Sequence, residues 1–262
     1  VADARRGGLP LLLIHGAGGS RLIWNAPIRR LPNAVAFDLP GHGSSPGPGR
    51  DRIADYAADV LALMDTLAIE RAVLLGYSMG GAIALECGLL APERAAGLVV
   101  LSGSANIPAL PLMTGALLDE GARIVQLMVD HFTTPTDSEA VRRAAFDGVA
   151  SVPLPVLLGD LAACEAFDRE AEVRAARTTG ALAMPVLVIH GTADRMIPFS
   201  HAEMLAEHLP AARLVALEGV GHLPMSAAPD AVADAVRAWL PSPDGAAAVQ
   251  PFPSPLSESE TR

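Results

Sequence analysis

Short unbroken apolar runs alternate along this chain with longer stretches in which apolar residues recur every three or four positions. The runs at 10–14, 34–37, 71–75, 97–101, 185–189 and 213–217 predict six strands, most of them buried on both faces. Between them, Ile53, Tyr56, Ala57, Val60, Met64 and Leu67 share one helical face, as do Val232, Ala235, Val236, Trp239 and Leu240. Ser200-His201-Ala202-Glu203 has the spacing of a capping box at a helix start. Strands alternating with helices predict an α/β fold, with a mostly parallel sheet of about six strands and helices on both faces.

Two stretches break the alternation. Residues 103–183 carry helical patterns and no convincing strand, and a connection that long is usually a lid or a binding element. Its apolar residues Leu110, Leu112, Met113, Leu117, Met128, Phe132, Phe146, Leu157, Leu158 and Phe167 are candidates to line a pocket as well as to pack its own helices. Residues 241–262, rich in Pro, Ser and Glu, read as a solvated, flexible tail. The expected organisation is a core of 1–102 and 184–240, an insert of 103–183 and the tail.

Composition narrows the function classes. At 262 residues and 51% hydrophobic content the chain can bury a large single core. A formal charge of -10 with its 19 Lys and Arg scattered argues against nucleic acid, which requires clustered cations. No apolar run reaches the roughly 18 residues of a membrane helix, and no signal-like segment follows Val1. Cys87 and Cys164 are expected to be packed thiols in a cytoplasmic, reducing setting. No histidine stands at metal-ligand spacing from another histidine or a cysteine, so no metal is expected. His15 and His190, each ending a strand ahead of glycine, read as hydrogen-bonded scaffold.

The chemistry concentrates at Gly76-Tyr77-Ser78-Met79-Gly80-Gly81. A serine between an apolar strand and a helical pattern is lifted on a sharp turn, and glycines two positions before and after it remove the collision that such a turn creates. The helix that follows aims free N–H groups at the place where an oxyanion would develop. A neutral hydroxyl is a poor nucleophile, so a histidine base and a carboxylate to orient it are required. Asp194, just beyond the fifth strand, and His222, after the sixth, supply them on loops at the carboxyl ends of strands.

His15-Gly16-Ala17-Gly18-Gly19, Asp38-Leu39-Pro40-Gly41-His42-Gly43, the Gly76 to Gly81 turn, His190-Gly191-Thr192-Ala193-Asp194 and Gly221-His222 occur in that order. Together they resemble the α/β-hydrolase superfamily over about Leu9 to Leu240. The resemblance implies Ser78 as nucleophile, Asp194 as acid, His222 as base, and the N–H groups of Ala17 and Met79 as the oxyanion hole. It also implies a helical cap inserted after the fourth strand. Members usually carry a β-hairpin before the His-Gly strand, whereas only Val1 to Gly8 precede it here, which bears on the sheet's edge rather than on the chemistry. The expected activity is hydrolysis of a small-molecule carboxylic ester with a small to medium apolar acyl group, without cofactor. The same site would also suit a C–C bond or enol-lactone hydrolase, a perhydrolase, a hydroxynitrile lyase or an acyltransferase. A non-catalytic ligand-binding protein on this fold is the reading furthest from the residues, because all three side chains are retained.

Overall fold

Six strands form where the apolar runs lie: β1 Leu11–Ile14, β2 Ala34–Ala36, β3 Ala72–Tyr77, β4 Ala95–Leu101, β5 Val186–Gly191 and β6 Ala212–Leu217. They pair in parallel throughout, in the order β2-β1-β3-β4-β5-β6. The structure is a computed structural model that describes residues 8–24, 26–107 and 121–240. The tail at 241–262 and the pocket candidates Leu110, Leu112, Met113 and Leu117 lie outside the described residues.

Strand side chains point alternately to the two faces of a sheet, and here each face has its own core. Leu12, Leu74, Val100 and Val188 join one apolar cluster, while Leu11, Val73, Val99 and Leu187 join the other. Every residue of β3 and β5 is buried, so both faces must be covered by helices. The α-helices among the described residues are α1 Ala26–Arg29, α2 Ile53–Thr66, α3 Met79–Leu90, α4 Gly121–Phe132, α5 Glu139–Ala150, α6 Leu154–Glu165, α7 Glu170–Thr179, α8 Ser200–His208, α9 Pro224–Ala227 and α10 Pro229–Trp239. Buried residues of α2, α3 and α8 cover the first face, and those of α10, with Ile28 of α1, cover the second. An α/β sheet sandwiched between helices is the expected fold class, and the one observed.

The chain between β4 and β5 contributes α4 to α7 and, among the described residues, only the isolated bridge between Asn106 and Asp168 as strand pairing. Helix α6 reaches both cores. Its Ala163 and Cys164 pack with α2 and α3, while Val156 and Leu157 pack on the opposite side. Cys87 and Cys164 are buried and free. Burial pushes the Cys87 thiol up to about 12 and raises that of Cys164 as well, so both stay protonated and inert.

One local expectation fails. Helix α8 is capped by Phe199, not Ser200, and no side chain bonds its first turn. The turn already begins upstream, with His201 N–H donating to Pro198 O and Ala202 N–H to Phe199 O. Ser200 is therefore inside the helix, one position too late for its hydroxyl to cap N3. No single helix among the described residues is long and apolar enough to cross a membrane.

Candidate active site

Strand β1 lies between β2 and β3, so the direction of strand order reverses there. Open parallel sheets leave a crevice beyond the carboxyl ends of the strands at such a point. Ile14 is in register with Gly76, which brings the loop after β1 alongside Tyr77 and Ser78. A Cβ on Gly76 would sit 1.9 Å from Gly80 O, and one on Gly80 would sit 2.2 Å from Ile14 O. Only hydrogen fits at either position, which accounts for both glycines.

Ser78 holds φ 52° and ψ -117°, a conformation rare for a non-glycine residue. Such strain costs on the order of 1–3 kcal/mol and survives because the surrounding structure enforces it. Ser78 N–H donates to Leu101 O at the end of β4, and Ser78 O accepts from Gly81 N–H at 2.8 Å, so both sides of the turn are pinned. Helix α3 then begins at Met79, and its dipole points its positive end at the serine.

The two partners arrive from β5 and β6. Asp194 follows β5 in a loop closed onto the next connection by Ala193 N–H donating to Val220 O. His222 is wholly buried there. Its Nε2 lies 3.0 Å from Ser78 Oγ, and its Nδ1 lies 2.7 Å from Asp194 Oδ2. Asp194 accepts at Nδ1, so the ring carries its proton there and presents a lone pair at Nε2 to the serine hydroxyl. The imidazole packs between Tyr77 and Phe132, with ring centroids 5.3 and 5.2 Å away. The imidazole is thus held by the residue before the serine and by the last residue of α4.

Asp194 accepts three hydrogen bonds and faces a fourth nitrogen. Its Oδ1 accepts from Met196 N–H at 2.8 Å and Ile197 N–H at 2.9 Å, while Oδ2 faces His222 and, at 3.1 Å, His190 Nε2. Burial works against its charge, but the facing His222 and His190 rings outweigh burial and hold the carboxyl far below its ordinary range. It is ionised at any working pH. His190 Nε2 lies 2.9 Å from Ile197 O, so its N–H bonds that carbonyl while the ring stays close to the carboxylate. Its sequence reading as hydrogen-bonded scaffold describes half of this; its contact with Asp194 could be suspected only from its place four residues upstream.

Ala17 and Met79 are the two residues whose N–H groups the resemblance assigns to an oxyanion. Met79 opens α3, and Ala17 stands in the loop after β1. Neither N–H donates to a backbone acceptor among the described residues, which leaves both available. His15 shapes this loop. Its Nδ1–H donates to Gly16 O at 2.9 Å, and its Nε2 accepts from Leu39 N–H at 3.0 Å. Burial, with help from neighbouring His42, lowers its pKa to about 4, so the ring is neutral as those bonds require.

A cavity of about 520 Å³ lies beside this constellation. Its wall includes Ala17 of the loop after β1, with Tyr77 and Leu223, the immediate neighbours of Ser78 and His222, although Ser78 itself is not part of it. The wall is mainly apolar, and Asp147 is its single charged member among the described residues. Of the pocket candidates that are described, Phe132 alone lines this cavity. Met128, Leu157 and Phe167 are buried in the cores, Leu158 packs against the second core, and Phe146 borders a separate depression beside Arg142 and Arg143. The insert folds its large side chains down onto the sheet and lines the cavity instead with Val141, Ala144, Ala145 and Val149 of α5.

Comparison with known proteins agrees with this architecture. Residues 11–235 match the model of the "Alpha/beta hydrolase family". A pimeloyl-[acyl-carrier protein] methyl ester esterase of Pectobacterium carotovorum is 31% identical over 251 residues, spanning 89% of this chain and 94% of that one. Among solved structures, a hydrolase from Pseudomonas aeruginosa superposes with a TM-score of 0.79 at 29% identity, covering 88% of this chain and 89% of the other. A thermophilic esterase from Thermogutta terrifontis gives 0.78 at 25% identity, with 88% and 89% covered. These relatives are named as hydrolases and esterases, which supports hydrolase chemistry in general. With a family model spanning nearly the whole described sheet, the chain belongs to the alpha/beta hydrolase family.

Proposed function

We propose that this protein hydrolyses carboxylic esters of small to medium, neutral, apolar acyl groups through a Ser78-His222-Asp194 triad and an acyl-enzyme. One observation carries the reading: an unbroken hydrogen-bonded line from Ser78 Oγ through His222 to an ionised Asp194, at 3.0 and 2.7 Å. His222 Nε2 takes the Ser78 proton as Oγ attacks the ester carbonyl. Asp194 keeps the ring in the required tautomer and stabilises its cationic form. The developing oxyanion is received by Ala17 N–H and Met79 N–H, each donor in comparable sites being worth roughly 3–4 kcal/mol. Collapse returns the proton from His222 to the departing alcohol. Water, deprotonated by the same nitrogen, then attacks the acyl carbon; the bond to Ser78 Oγ breaks, His222 returns the proton to Oγ, and the acid leaves.

The acyl preference follows from the cavity. An apolar wall with Asp147 as its charged member favours a neutral chain and repels a second carboxylate. We assign residues 103–183 the role of cap, since α4 and α5 supply Phe132 and the far wall of the cavity. A cytoplasmic setting suits the two free thiols.

The test is a series of p-nitrophenyl esters of increasing acyl length, run beside an enol-lactone and a C–C hydrolase substrate, with an organophosphonate probe for covalent labelling. Turnover is expected to be greatest on esters and to fall by about 10⁶ in a folded Ser78→Ala variant if the triad acts as a unit. Labelling is expected at Ser78 and nowhere else. Near-normal turnover in Ser78→Ala, or a preference for the carbon–carbon substrate, would refute the assignment.

A further inference from the structure

We propose that Asp160, carried by α6 of the insert, is a positioning residue for the oxyanion loop, its buried carboxylate gripping both Gly18 N–H and the His42 ring. The inference rests on the reading of Ala17 N–H as an oxyanion donor. Asp160 Oδ2 accepts from Gly18 N–H at 2.8 Å and faces His42 Nε2 at 2.8 Å, while Oδ1 accepts from Tyr56 O–H at 2.6 Å. Its side chain and that of His42 are completely enclosed. Three segments of the sheet domain, after β1, after β2 and on α2, thus converge on one carboxylate of the insert.

The approach is built into the helix. A Cβ on Gly159 would lie 2.7 Å from Arg50 O, so the backbone of α6 runs against the loop before α2. Gly18, at φ 63°, rests on Leu157 of the same helix. A bond to Gly18 N–H fixes the peptide plane between residues 17 and 18. It thereby restrains rotation about Ala17, whose own N–H sits on the adjoining plane. Holding α6 in place would not require a charge, since apolar contacts would serve at less desolvation cost. The carboxylate adds direction: it orients one particular N–H in a loop otherwise made largely of glycine.

The clamp contains a proton. His42 Nδ1 faces Pro40 O at 3.0 Å and Nε2 faces the carboxylate, so both ring nitrogens meet acceptors. A neutral ring has a single N–H and would turn a lone pair on one of them. Burial opposes the charge on His42 most strongly, but the hydrogen bond and charge of Asp160, with Pro40 O and Asp38, together outweigh it and raise its affinity for the proton. The other titratable groups facing it are accounted for. His15, with its ring centroid 4.8 Å away, is held neutral; Asp38 is engaged by the Arg21 guanidinium and Ser44 N–H; Tyr56 and Cys164 are held protonated by burial and by Asp160. Loss of the His42 proton would set a lone pair against Pro40 O or the carboxylate and remove the positive charge that helps hold the carboxylate on Gly18.

The experiment compares wild type, Asp160→Asn and His42→Gln in p-nitrophenyl acetate hydrolysis from pH 6 to 10, with the rate of organophosphonate inactivation followed in parallel. Asp160→Asn is expected to lower kcat by roughly 10- to 100-fold, part of what losing one oxyanion donor costs. KM is expected to stay within about twofold, because the oxyanion exists only in the transition state, and inactivation should slow with kcat. Wild-type kcat is expected to decline on the alkaline side. His42→Gln, which keeps an N–H toward Asp160 and cannot titrate, is expected to lose that decline. A folded Asp160→Asn enzyme with wild-type kcat and inactivation rate overturns the proposal, as does one altered in KM alone. If Asp160→Asn does not fold, superimposable alkaline limbs in wild type and His42→Gln overturn it. An active wild type indifferent to these changes rejects the clamp alone, whereas a wild type without esterase activity or phosphonate labelling rejects the triad reading and the clamp with it.

Discussion

Asp194 accepts three hydrogen bonds, faces a fourth nitrogen, and has nothing to donate in return. Met196 and Ile197 N–H groups approach one oxygen, and His222 and His190 approach the other. An asparagine of the same shape cannot meet that demand, because either orientation of its amide points an NH₂ at donors. Turned toward the rings, the amide would favour the wrong His222 tautomer and place a proton on the nitrogen that faces Ser78. Asp194→Asn is therefore expected to lower kcat for p-nitrophenyl butyrate by about 10⁴, with circular dichroism confirming a folded chain. A loss below tenfold would show that the carboxylate does not control the base. Asp194 and His222 were legible because each follows a strand end, where a parallel sheet gathers its loops. Asp160 was not. Its His42 contact joins residues 118 positions apart, and a carboxylate on a helix gives no sequence sign of being buried rather than solvated.

The elements differ in how openly the sequence declares them. β3 and β5 are buried at every position, so an unbroken apolar run sufficed to find them, with ends shifted by two residues at most. Helix α3 is buried from Met79 to Gly88 and has no polar face apart from Glu86, so only the serine turn before it revealed where it starts. The insert was legible as helical, but not which of its side chains face the cavity, because that depends on how α4 to α6 dock. Its return to the sheet domain is secured by a fork: Arg169 donates to both oxygens of Glu86 on α3, at 2.7 and 2.8 Å. Glu86 is almost completely buried, whereas the guanidinium is about one-third exposed. Removing the arginine leaves a carboxylate without its counter-charge inside the core, and the penalty, reduced by solvent at the arginine's end, is roughly 2 kcal/mol. Arg169→Met is expected to lower the urea midpoint accordingly and to slow ester turnover far less than Asp194→Asn does. An unchanged midpoint would mean that the fork contributes nothing to holding the insert.

At the scale of the whole molecule, buried imidazoles tie stability to pH from both sides. His15 is neutral in the fold, its pKa lowered to about 4 by burial and by His42, against 6.5 for an imidazole in water. Between those values the unfolded chain binds a proton that the folded chain refuses, so stability falls as pH drops from 6.5 toward 4. Partly buried His201, beside Ser104, is shifted the same way and adds to that slope. Asp194, held ionised, extends the loss below pH 3.8, where the unfolded carboxyl takes up its proton first. His42 has the opposite sign. Its folded form keeps the proton longer than the unfolded ring does, so its contribution is complete below 6.5 and disappears as pH rises through its raised value. Each fully linked group contributes a slope of about 1.4 kcal/mol per pH unit within its window. The slopes have opposite signs on either side of the same reference value, so the free energy of unfolding should peak between pH 6 and 7. Urea titrations at half-unit intervals from pH 4 to 9 measure it directly. A maximum near neutrality that flattens on its alkaline side in His42→Gln matches this balance, and a midpoint rising steadily from pH 5 to 9 would show that His42 does not hold a proton in the native fold.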